Sequence, residues 1–100
     1  MLFESTNGRT VRVERPSSGF VIDPRGEVIH RHYKLQVFAR EHSTVPHDVW
    51  DKYIDVYGPE SIFPVARPEI GNLGTIASEE ILYPEITRCV AMRGAEVICH

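Results

Sequence analysis

The most constraining feature of this chain is a strand, a corner and a helix written in close succession from Gly71 onward. The run Gly71-Asn72-Leu73-Gly74-Thr75-Ile76-Ala77 reads as a short buried strand, and Ser78-Glu79-Glu80 as a sharp corner carrying a hydroxyl and two carboxylates. Pro84 suits the first turn of the helix that follows, Glu85 complements its positive end, and Gly94 suits the cap after its last turn. Helical spacing turns Ile86, Cys89, Val90 and either Met92 or the stem of Arg93 inward. Cys89 then reads as an inert core thiol. Ala95-Glu96-Val97-Ile98-Cys99 is a second strand, and strand–helix–strand in this order implies parallel pairing. A polar side chain at such a corner is held rigidly, which is where α/β enzymes place a nucleophile. Ser78 is therefore the first candidate site residue.

A parallel pair needs cover on both faces, and 100 residues with 42% hydrophobic content make one unit with a modest core. The expectation is a single, partial α/β domain over residues 1–100. A net charge of -3 with no basic cluster argues against a nucleic-acid or anionic-membrane partner. No apolar run approaches the length of a spanning helix, and Met1-Leu2-Phe3-Glu4 lacks the character of a signal peptide. Two cysteines, Cys89 and Cys99, make no disulfide framework and suit a reducing compartment, so a cytoplasmic location is expected.

Upstream, residues 2–15 suggest a hairpin turning at Asn7-Gly8. A second hairpin is better punctuated. Phe20-Val21-Ile22 leads into Asp23-Pro24-Arg25-Gly26, a type I turn pattern, and Glu27 to Phe38 returns. Period-two alternation puts Ile29, Arg31, Tyr33, Leu35 and Val37 on one face, and Val28, His30, His32, Lys34 and Gln36 on the other. The second face reads most simply as a solvated one; the sharper reading is a cleft wall into which Lys34 brings a charge. His30 and His32 share that face, but no third ligand has convincing metal-site spacing, so neither metal nor other cofactor is expected.

Between the two halves, residues 47–57 have the spacing of a short helix, with Asp48 near its start and Gly58-Pro59 ending it. Trp50, Tyr53 and Tyr57 form a stripe on it that reads as packing. Ile62-Phe63-Pro64-Val65-Ala66 reads as an edge strand or loop.

Two of these stretches together resemble the nitrilase superfamily of carbon–nitrogen hydrolases. The run Gly74 to Glu80, then Tyr83-Pro84-Glu85-Ile86-Thr87-Arg88 and Arg93-Gly94-Ala95-Glu96-Val97-Ile98, is similar to that family's core signature. Asp23 to Ile29 followed by Tyr33-Lys34-Leu35 is similar to its earlier hairpin and lysine strand. The matches cover roughly residues 20–41 and 70–100, in family order. The resemblance implies an α-β-β-α sandwich, here partial, built on a hairpin plus a strand-corner-helix-strand unit. It also implies a homo-oligomer in the full-length family context and hydrolysis of a small-molecule amide or nitrile through a Glu-Lys-Cys triad. Carried over by position, Lys34 stabilises the tetrahedral intermediate and Glu41 is an accessory glutamate. Glu80 is the acidic residue two after the nucleophile, and Glu85 with Arg88 form the helix pair after it.

The sequence departs from that pattern twice. Ser78 stands where the family has cysteine, and the base glutamate expected well upstream of the lysine has no counterpart, since Glu4 and Glu14 lie too close to Lys34. A serine hydroxyl leans more heavily on an adjacent base than a thiol does, so this chain by itself is expected to be weak or close to inactive on the family route. Three readings follow. One is a hydrolase using Ser78, with a neutral Lys34 as base; the second is a degenerate member that binds or assembles; the third is a truncated product without function of its own.

Overall fold

Three short strand pairings and two helices are laid down in chain order in the structure, a computed structural model that describes residues 2–4, 10–12, 17–38 and 44–100. Strands β1 (Leu2–Glu4) and β2 (Thr10–Arg12) pair antiparallel, with Glu4 opposite Thr10. That register is one residue away from what a two-residue Asn7-Gly8 turn would impose, and the turn itself lies outside the described residues.

The second hairpin joins β3 (Ser18–Ile22) to β4 (Val28–Tyr33). Its turn is organised by Asp23. The Asp23 carbonyl accepts from Gly26 N–H at 2.9 Å, and its carboxylate accepts from the backbone of Arg25 at 2.8 Å and of Glu27 at 2.9 Å. Gly26 supplies the left-handed φ of 85° that closes it, and the register shifts between Val21 and Ile22 as the bulge absorbs the extra residue. The return strand ends at Tyr33 rather than running to Phe38. Past Ser18 the partner strand has run out: Lys34 N–H reaches back to Ser17 O at 2.9 Å, and Leu35 N–H turns instead to the Glu80 carboxylate.

The two faces of β4 are the reverse of the simple expectation. His30, His32 and Lys34 are buried, while Arg31 is exposed and Ile29 and Tyr33 are half-buried. The polar face is not solvated because the corner after β5 (Leu73–Thr75) packs on it and brings a partner for each of His30, His32 and Lys34. Gly19, opposite His32, makes the approach possible, since a Cβ there would stand 2.8 Å from Thr75 Oγ1.

Helix α1 (Trp50–Tyr57) follows a 3-10 turn over Pro46–Val49, where the Asp48 carboxylate accepts Val45 N–H at 3.0 Å. Gly58 ends α1 with φ 74° and donates to Ile54 O. The aromatic stripe packs against the hairpin: Tyr33 lies with its ring centroid 5.9 Å from Tyr53 and 5.5 Å from Tyr57. Trp50 departs from this, stacking on His47. Ala66 forms an isolated antiparallel bridge to Leu73, so the proline-broken stretch adds one bridge rather than a strand.

Strand β5, helix α2 (Pro84–Met92) and strand β6 (Val97–Cys99) form the parallel unit, with Leu73 opposite Val97 and Thr75 opposite Cys99. Gly74 and Thr75 point to opposite sides of β5. Gly74 lies against Val90 of α2 so closely that a Cβ would overlap the valine, and Thr75 faces the hairpin. Ile86 and Val90 are the buried face of α2. Met92 is 76% exposed, because it stands six residues from Ile86 and well off that stripe; Arg93 instead pairs with Glu60. Leu35, Ile76 and Ile86 form the core, flanked by Ile62, Phe63, Tyr83 and Ile98. The whole is a mixed α/β unit, and no helix among the described residues is long and apolar enough to cross a membrane.

Candidate functional site at the Ser78 corner

The corner is a 3-10 turn over Ser78–Leu82 inserted between β5 and α2. Ser78 is exposed and has φ 49°, the single non-glycine residue with positive φ among the described residues. Holding a side-chain-bearing residue there costs about 1–3 kcal/mol, a strain that clusters at functional sites. Its carbonyl accepts a hydrogen bond from His100 Nε2 at 2.9 Å, at the end of the neighbouring parallel strand.

The conformation is enforced from below by Glu80, which is 0% exposed. Its Oε2 accepts Ala77 N–H at 2.8 Å and faces His32 Nε2 at 2.8 Å, while Oε1 accepts Leu35 N–H at 2.7 Å. One carboxylate thus ties the residue before Ser78 to the residue after Lys34. Burial alone pushes the Glu80 carboxyl up, but the bonds from His32, Leu35 and Ala77 outweigh it and hold it below its ordinary value. His32 is 0% exposed, and its Nδ1 has no hydrogen-bond partner, which assigns the proton to the Nε2 that faces Glu80. His30 Nε2 meets Thr75 Oγ1 at 2.9 Å; burial first, and then His32, lower its pKa.

Above this buried layer lies the pair Lys34–Glu79, Nζ to Oε2 at 2.5 Å, with side chains 9% and 15% exposed. Phe38 N–H approaches the other Glu79 oxygen at 3.4 Å. Hydrogen bonding from Lys34, then from its own backbone amide and from the Ser78 hydroxyl, lowers the Glu79 carboxyl from 4.5 to about 2. It is a carboxylate at any physiological pH.

Of the residues singled out by sequence, the structure therefore brings Lys34, Ser78 and Glu80 to one corner. Glu85 and Arg88 are exposed on α2 and make no hydrogen bond or ion pair to the corner, and Glu41 lies outside the described residues. Glu79, His32, His30 and Thr75 enter the site without having been singled out for it. The signal for the histidines was present in the alternation that put them on one face with Lys34. For Glu79 the only signal was its place directly after Ser78. No group of three or more His, Cys, Asp or Glu side chains able to hold a metal occurs among the described residues.

A parallel strand–helix unit with a strained serine at its corner, beside a lysine–carboxylate pair, places the chain among mixed α/β proteins. The family model for carbon–nitrogen hydrolase matches residues 2–100, and the chain belongs to that family, as the resemblance implied. Comparisons with curated proteins and with solved structures returned no match.

Proposed function

We propose that this chain hydrolyses a carbon–nitrogen bond in a small amide or nitrile, with Ser78 as nucleophile and Lys34 as the cation that receives the developing oxyanion. The observation that carries the reading is the conformation of Ser78: an exposed hydroxyl at φ 49°, fixed through Ala77 by a fully buried carboxylate. Strain of that kind is uneconomical in a loop without chemistry. Lys34 acts here as a charge rather than as a base, because a neutral Lys34 would forfeit its ion pair with Glu79.

In this reading α2, the β5–β6 pair, the β3–β4 hairpin and α1 are successive layers of a partial α-β-β-α sandwich within one domain. The contacts of Gly74 with Val90, Thr75 with His30 and Tyr33 with Tyr53 support that order. Assembly with further copies belongs to the same reading, supported by the exposed apolar side chains Phe20, Ile22 and Val28 on one hairpin face. A cytoplasmic setting suits the free thiols Cys89 and Cys99.

A second reading, a member that binds a small amide or carboxylate without turning it over, is favoured by the same ion pair, since Glu79 already occupies Lys34. Incubation of the purified chain with simple amides and activated esters, followed by intact-mass and peptide analysis, separates the two. The hydrolase reading expects an acyl group on Ser78 and faster turnover in Ser78→Cys. Binding without an acyl adduct in either protein would establish the second reading.

A further inference from the structure

Ser78 lies between two peptide planes, and because each plane is rigid its backbone conformation is the relation between them. The first plane, Ala77–Ser78, is set by Glu80, whose N–H donates to Ala77 O at 3.1 Å while its carboxylate holds the N–H of Ala77 one plane earlier. The second plane, Ser78–Glu79, presents its carbonyl oxygen to His100 Nε2 at 2.9 Å. We propose that His100 is a positioning residue for Ser78: by donating to that carbonyl it fixes the second plane and holds the hydroxyl-bearing residue in its left-handed conformation. The reactive role this serves rests on the reading above that Ser78 is the nucleophile.

Parallel pairing delivers His100 to this place. Thr75 stands opposite Cys99, and the last ladder bond runs from Ile76 N–H to Cys99 O at 3.0 Å. His100 is the next residue, so its side chain starts where the backbone ladder stops and reaches the corner beyond it. An added donor has leverage there. The turn over Ser78–Leu82 is 3-10, whose own backbone bonds are poorly aligned, and it begins with the strained residue. A side-chain-bearing residue at φ 49° persists only when its surroundings over-determine it. Without His100 the second plane loses its side-chain anchor, and Ser78 samples relaxed conformations in which its hydroxyl points elsewhere.

The same bond specifies the state of the imidazole. A carbonyl only accepts, so His100 Nε2 carries a proton, in the neutral ring as in the charged one. A nitrogen already donating to the main chain does not take the Ser78 proton. Donation survives protonation of the ring, whereas action as a base does not, so the two roles part on the acid side of the histidine range. Glutamine is the donor-preserving replacement, because its amide NH₂ takes the place of Nε2–H and is no base. Leucine removes the donor.

The test is the rate at which a fluorophosphonate modifies the purified chain, transferring its phosphonyl group to Ser78 Oγ with loss of fluoride and a proton. Intact mass and peptide mapping follow it from about pH 5 to 8. His100→Leu should slow labelling by about five- to tenfold, the population shift that follows loss of one neutral hydrogen bond. The deficit should persist or grow towards the acid end, where a charged donor is the stronger one. His100→Gln should stay within about twofold of wild type, and circular dichroism should show both variants folded. In isotope-labelled chain, the NMR resonance of the Ser78 carbonyl carbon should move upfield in His100→Leu and stay in place in His100→Gln. Labelling of His100→Leu within about twofold of wild type, or an unmoved carbonyl resonance, would overturn the proposal. So would His100→Gln as slow as His100→Leu, or a deficit that vanished at the acid end, which would make His100 a base. A wild-type chain that takes no label would overturn the nucleophile reading instead, and the carbonyl resonance would still decide whether His100 holds the corner.

Discussion

Glu80→Gln removes one charge and changes no volume, yet the structure makes it one of the most damaging conservative changes available to this chain. Three donors converge on the wild-type carboxylate: Leu35 N–H on Oε1, with Ala77 N–H and His32 Nε2 on Oε2. An amide has one oxygen. If the oxygen keeps Leu35, the new NH₂ confronts Ala77 N–H, and His32 can accept from it only by moving its own proton to Nδ1, which has no partner. If the amide flips, Leu35 N–H is the donor left facing NH₂. Every arrangement orphans at least one buried N–H, at about 1–3 kcal/mol, and weakens the remaining bonds from charge-assisted to neutral. The sum is about 3 kcal/mol, a large part of the stability of a domain this small. With a urea m-value of about 1.5 kcal/mol/M, the unfolding midpoint should fall by about 2 M. Glu85→Gln, on the exposed face of α2, should move it by less than about 0.3 M, the scale of a surface change. Urea titrations followed by circular dichroism measure both. A Glu80→Gln midpoint within about 0.3 M of wild type, at unchanged m, would refute the claim that this carboxylate clamps the corner.

Two further perturbations test the packing and the electrostatics. Gly74→Ala drives a methyl into Val90 and should cost about 2 kcal/mol, but combined with Val90→Ala the loss should be at least about 1 kcal/mol smaller than the sum of the single losses; strict additivity in urea midpoints would contradict the contact. Acidification should destabilise in two stages. His30 is depressed below 6.5 in the fold, so its contribution is complete above that value and is lost as pH falls through the folded pKa. Glu80 and Glu79 lie below 4.5, and their contributions are lost beneath that value, down to about 2 for Glu79. Urea midpoints measured across the acid range should decline at each stage, and a midpoint that rose between about pH 7 and 5 would count against the burial of His30.

The parallel unit was legible because its signals are local and agree with one another. Pro84 opens α2, Gly94 follows its last turn with φ 98°, and Val97–Cys99 pairs in the direction that strand–helix–strand order demands. The hairpin turn was legible for the same reason, since the Asp23 carboxylate accepts from the turn's backbone and Gly26, without a Cβ, takes the left-handed φ. The polar face of β4 was not. Alternation states which residues share a face, but whether that face meets water depends on what arrives from residues 75 to 80, some 45 positions away. Local pattern therefore misassigned the environment of His30, His32 and Lys34 while grouping them correctly.

The same distinction separates the two carboxylates of the corner. Adjacent residues in a tight turn diverge, and here Glu80 goes down into a dry layer of histidine and backbone N–H groups while Glu79 stays up beside Lys34. Chemistry and architecture are thereby divided between neighbours of identical type. A buried acceptor that must satisfy three donors cannot also exchange protons with a substrate without leaving them orphaned. A carboxylate at the rim, paired with Lys34, is under no such constraint. The division predicts that losses at Glu80 appear mainly in stability and losses at Glu79 mainly in the reactivity of Ser78. Neither residue should substitute for the other.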